Sequence, residues 1–139
     1  MIVIGHRITG IKGQRFDVES DSVLKNISTN AVPTGLKEGK NSDDKKKNLI
    51  VEWKLVSNYD LTNEKKLAEL EITGELIVEM ESKEFKTAMQ DWKDKKTMPK
   101  EQLMPILQGI LNISQVEAII LARELNLPSP INLVKIKEN

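Results

Sequence analysis

The chain has 139 residues, with 21 basic and 21 acidic side chains and a formal net charge of zero. That balance argues against a broad nucleic-acid-binding face, which normally needs excess positive charge, without excluding a local patch, and the length suits one domain that folds without staples. There is no cysteine and one histidine, His6, so disulfides, thiol nucleophiles and cysteine metal sites are ruled out.

In chain order, Ile2 to Ile11 carries isoleucines at 2, 4, 8 and 11, and Arg15 to Glu19 alternates through Phe16 and Val18. Gly10 and Gly13 suggest a bulge or bend between the two pieces. The opening residues have no basic region ahead of a long apolar core, which argues against a signal peptide and for a cytoplasmic protein. No apolar run approaches the eighteen or so residues of a membrane span. Val23 to Asn30 gives a weaker strand signal. Residues 33–47 hold little that is apolar and read as an exposed, flexible loop. The lysines at 45, 46 and 47 adjoin Asp43 and Asp44, so the run reads as a solvated loop tip rather than an anion site.

The next two strands give the clearest pattern. From Leu49 to Tyr59 the odd positions Leu49, Val51, Trp53, Leu55 and Tyr59 are apolar. From Lys66 to Glu81 the even positions Ala68, Leu70, Ile72, Leu76, Val78 and Met80 are apolar, and glutamates recur at odd positions. A period of two over this length means long antiparallel strands with one buried and one wet face. The short connection between them fits a hairpin.

After Glu81 the period changes. Ser82 to Lys96 spreads Phe85, Met89 and Trp92 through a charged helix. Pro99 stands at a plausible first helical position. Leu103, Ile106, Leu107, Ile110 and Leu111 form a helical stripe, with Pro105 in the first turns. Asn112 or Ser114 can cap a further helix, and Leu127-Pro128-Ser129-Pro130 must end it. The tail from Ile131 to Ile136 reads as an extended arm. The expected fold is therefore α+β. It is one domain over 1–139, a four-stranded antiparallel sheet followed by C-terminal helices packed on one face.

No catalytic constellation emerges. Glycines 10 and 13 make no phosphate-binding fingerprint. His6 lies among isoleucines without a partner of metal-ligand spacing. Glu69, Glu71, Glu75, Glu79 and Glu81 lie on one strand face, exposed and without the apolar pocket that raises an acid's pKa. They read as an acidic face for a basic partner, or as a wet strand face paired with basic residues across the sheet, such as Lys54. Trp53 and Tyr59 share an apolar face and read either as core or as the floor of a binding site. Trp92, among lysines and an aspartate, is the more exposed contact candidate. The glycosylation sequons at Asn26 and Asn112 read as chance matches.

The order of these elements is similar to the SecB family of preprotein-export chaperones. Lys12 with Phe16-Asp17 resembles that family's strand motif. Glu101-Gln102-Leu103, Asn112-Ile113 and Ala122-Arg123-Glu124 follow its helical spacing. Leu127-Pro128-Ser129-Pro130-Ile131-Asn132-Leu133 resembles its ending. Relative to the family, Glu81 to Met98 looks like an insertion, and the aromatic content of 4% is low for client-binding grooves.

The resemblance implies ATP-independent holding of unfolded or extended polypeptides, without catalysis or cofactor, by a cytoplasmic homo-oligomer that engages neither membrane nor nucleic acid. Client contacts are expected at Trp53, Tyr59, Leu127, Ile131 and Leu133. It also implies that Glu69, Glu71, Glu75 and Glu79 form an acidic face of the kind that meets the export motor SecA. A module that binds one folded partner is the other expectation.

Overall fold

A computed structural model describes residues 1–16, 22–40 and 45–131. Four strands, β1 (Ile2–Arg15), β2 (Leu24–Glu38), β3 (Lys46–Leu61) and β4 (Lys66–Glu81), precede two helices, α1 (Ser82–Lys95) and α2 (Lys100–Glu124). The strands form one antiparallel sheet in the order β1-β4-β3-β2. Both helices pack on the same face. The fold is the α+β arrangement expected, with β3 and β4 as the central hairpin.

The period-two pattern of the central strands places their residues. Every apolar position named above in β3 and β4 is buried beneath the helices. The core joins Leu49, Val51, Trp53, Leu55, Ile72, Leu76 and Val78 to Phe85, Ala88, Ile106 and Ile110 of the helices. A smaller cluster of Tyr59, Ala68, Leu70, Ala122 and Leu127 closes the far end.

Three local expectations are corrected. The segment 33–47 is not one loop. β2 runs through Glu38 and β3 begins at Lys46. A bulge between Pro33 and Gly35 absorbs the proline, which lacks a ladder donor and is tolerated because β2 is an edge strand. Residues 41–44 and Val18 lie outside the described residues. In β1 the expected bulge is present at Gly10, where the register shifts after Ile8, as it also does between Val3 and Gly5; at Gly13 there is none and the ladder continues unbroken. Gly13 serves a close approach instead, since a Cβ there would lie 2.8 Å from Leu125 Cδ1 and 2.9 Å from Leu121 Cδ1 of the covering segment.

The third correction is α2, one continuous helix of 25 residues with Pro99 just before it. Ser114 does not cap a second helix. Its hydroxyl donates to the Ile110 carbonyl at 2.7 Å, inside the helix. By length and composition α2 is long and apolar enough to cross a membrane, with a mean hydropathy of 1.4 over its most apolar stretch. Here every fourth residue, from Gln102 through Ile106, Ile110, Ser114 and Ala118 to Ala122, is buried against the sheet. Only 22% of that stretch is buried, so much of its apolar surface faces outward.

Asn126 ends α2 in the left-handed region at φ 55°. Its N–H donates to Arg123, and that of Leu127 to Ala122 at 2.8 Å. These are the paired bonds of a Schellman termination, with asparagine where glycine is commoner.

Candidate functional site: an apolar groove beside an edge strand

The segment after α2 is stapled across the end of the sheet. Arg15 of β1 donates to the Leu125 and Asn126 carbonyls at 2.9 and 2.8 Å, where a cation also suits the negative end of the helix dipole. The Tyr59 hydroxyl donates to the Pro128 carbonyl at 2.6 Å. Thr29 of β2 donates to the Pro130 carbonyl at 2.9 Å. Burial pushes the Tyr59 phenol up to about 12, because the charged form has lost its water.

These contacts relocate most of the expected client-binding residues. Trp53 is 1% exposed and Tyr59 0%, so both are core, and neither offers a surface to a ligand. Leu127 is buried in the smaller cluster, and Ile131 is half-buried against the main one. Leu133 lies outside the described residues. The strand pattern that placed Trp53 and Tyr59 on one apolar face is the same for a core and for a binding floor. Only the helices decide between them, and they cover this face.

The glutamates stand on the uncovered face of the sheet, largely paired. Arg7 contacts the Glu75 carboxylate at 2.9 Å and Lys37 reaches it at 3.6 Å, so one half-buried acid links both edge strands. Lys12 lies 4.0 Å from Glu71, and Lys66 lies 3.8 Å from Glu69. Lys54 sits opposite Thr73 in the register and is not the partner expected. Glu79 lies between Ile2 and Asn48. With two basic partners on Glu75 and one each on Glu69 and Glu71, the ladder is a charge-balanced strand face, and exposed pairs of this kind contribute at most about 1 kcal/mol each. His6 is exposed on β1, and among the described residues no three His, Asp or Glu side chains cluster to hold a metal ion.

An open apolar surface lies instead where β2 meets α1. Leu36, Phe85, Met89 and Trp92 line a groove of about 740 Å³, with Gln90, Lys86, Lys93 and Lys96 also along it. The local sequence builds it simply. Residues 85, 89 and 92 fall on one side of a helix, and β4 runs straight into α1, which fixes that side against the sheet. Phe85 turns inward to the core, while Met89 and Trp92 remain half-buried at its margin. Lys96, at φ 54°, closes α1 and returns its N–H to the Trp92 carbonyl at 2.9 Å.

Among the described residues β2 is an edge of the sheet, so the groove lies beside backbone donors and acceptors with no described strand next to them. Sequence reasoning found Trp92 but missed Leu36, Phe85 and Met89. The signal present was the spacing 85, 89, 92 within a lysine-rich helix. Leu36 was hidden because its strand was read as loop.

Comparison of the chain with protein-family models, with curated proteins and with solved structures finds no match to any of them.

Proposed function

We propose that this protein is a non-catalytic, ATP-independent binder of unfolded or extended polypeptides, a cytoplasmic SecB-like holdase that uses the β2–α1 groove. The observation that carries the reading is an apolar groove lying beside a strand edge that no other described strand pairs with. An extended chain laid there would find hydrogen-bonding groups along β2 and seats for alternate side chains on Leu36, Met89 and Trp92. A few such contacts give roughly micromolar affinity once ordering costs are subtracted.

The test is retention of a chemically unfolded client without nucleotide. The protein is expected to delay client aggregation at equimolar ratio. Met89→Ser with Trp92→Ser is expected to weaken client binding about tenfold, the loss of two half-buried contacts. Val23→Ser, an exposed apolar residue ahead of β2 and apart from both the groove and α2, serves as the control and leaves client binding intact. Absence of any delay by the unaltered protein would discard the holdase reading in favour of a module that binds one folded partner.

Self-association belongs to the same proposal. Met104, Val116 and Ile120 on α2 are 60%, 56% and 45% exposed, and among the described residues no strand pairs with the outer edge of β1. Bare apolar helix surface and an unpaired edge both favour assembly, and several grooves in one particle would hold one chain more tightly than a single groove. Sedimentation over a wide concentration range is expected to give at least a dimer of the 15.7 kDa chain. Val116→Glu with Ile120→Glu is expected to shift it to monomer. A strict monomer at every concentration would remove assembly from the proposal.

A further inference from the structure

The β2–α1 groove has a sign as well as an apolar floor. Among the described residues its charged lining is Lys86, Lys93 and Lys96, with no carboxylate. Among the described residues none of the three forms an ion pair, whereas Lys12, Lys37 and Lys66 on the uncovered sheet face each meet a glutamate. Two acids stand beside this rim in sequence, Asp91 and Asp94; neither lines the groove, and Asp94 is held by Gln90 at 2.9 Å. On a chain of zero net charge, three unpaired lysines along one apolar groove leave a local positive field that a bound segment must meet.

We propose that the groove selects extended polypeptide segments whose apolar side chains alternate with aspartate or glutamate, and discriminates against segments that alternate with lysine or arginine. This inference rests on the groove's being a polypeptide site, as argued above. An extended segment sends alternate side chains to opposite sides. Its apolar set reaches Leu36, Met89 and Trp92, while the intervening side chains stand near the rim. Acidic residues there gain three partners that are otherwise unpaired. Basic residues there face like charge, and that repulsion supplies specificity as much as the attraction does. Each exposed pair changes affinity a few-fold at low salt, so three together separate acidic from basic segments by roughly tenfold or more.

The test uses the full chain and three short synthetic peptides with identical apolar residues, interleaved with aspartate and glutamate, with serine, or with lysine. Fluorescence anisotropy of the labelled peptides gives the affinities. The acidic peptide is expected to bind tightest and the basic one weakest, with the spread shrinking in about 1 M salt. Lys86→Glu, Lys93→Glu and Lys96→Glu together are expected to invert the order while leaving the melting temperature near that of the unaltered protein, because all three positions are exposed.

Equal binding of all three peptides would overturn the charge selectivity and leave the groove reading standing. Failure of all three to bind would overturn both. Acidic binding that weakens as protein concentration rises would assign the groove to a second copy. Acidic binding that appears only after Leu133→Ser and Ile136→Ser would assign it to the chain's own tail. Either result would overturn the proposal of an outside acidic partner.

Discussion

Gly74→Ala is expected to destabilise the protein by about 3 kcal/mol, the upper end for overpacking a closed core. Gly74 pairs with Trp53 across β3 and β4 and with Ile8 across β4 and β1. A Cβ at this position would lie 2.4 Å from Trp53 Cζ2, 2.8 Å from Trp53 Cε2 and 2.5 Å from the Arg7 carbonyl oxygen. The two obstacles stand on different strands, so moving the methyl away from one cannot relieve the other without shearing a ladder. The indole has little room to retreat, being 1% exposed and walled by core residues. Its Nε1 is buried without a hydrogen-bond partner, so packing alone holds it in place.

A double-mutant cycle with Trp53→Leu isolates the clash. Trp53→Leu alone opens a cavity and costs about 3 kcal/mol. Combined with Gly74→Ala it should cost less than the two separate losses together, by at least about 1 kcal/mol. Denaturant unfolding of the four proteins measures this. Strictly additive losses would show that the methyl does not compete with the indole.

The same pair of strands shows what the amino-acid sequence makes legible. Along β3 and β4 alternation is strict because each strand has neighbours on both sides and one fully covered face. Pattern and burial therefore agree residue by residue. The edge strand β2 has a different composition for a physical reason. Pro33, Gly35 and Lys37 are acceptable where one edge is free and a bulge interrupts the ladder, and those residues imitate a loop. The helical half was legible in period but not in continuity, because Asn112 and Ser114 resemble caps until Ser114 is seen bonding back to Ile110.

The site was less legible than the fold. Trp53, Tyr59 and Leu127 are apolar and well placed, and those properties serve core and ligand floor equally. The groove depends on how β2 lies against α1, a contact between segments far apart in the chain whose spacing leaves no local signature. Its one strong sequence clue was Trp92 with lysine neighbours.

Tyr59→Phe is expected to change how stability depends on alkaline pH more than it changes stability at neutral pH. At neutral pH the variant loses the 2.6 Å hydrogen bond to the Pro128 carbonyl, a loss of about 1 kcal/mol. Above pH 10 the unaltered protein's advantage begins to shrink. The phenol of the folded protein is pushed up from 10.0 to about 12 by burial. The unfolded chain therefore releases its proton first and binds fewer protons than the native state between those values. With fewer protons on the unfolded side, stability falls as pH rises, by about 1.4 kcal/mol per unit through this window. The full loss approaches about 2.7 kcal/mol near pH 12, beyond which the slope from this group vanishes.

Phenylalanine ionises in neither state, so the variant escapes that loss. Other groups titrate in the same range, but they do so in both proteins and cancel in the difference. The two stability curves are expected to cross near about pH 11, with the variant the more stable protein above it. Denaturant unfolding at intervals from neutral pH to pH 12 gives both curves. Parallel curves would mean that Tyr59 ionises freely in the folded protein. Tyr59 would then be open to solvent, and the C-terminal staple through Pro128 would not seal that end of the core.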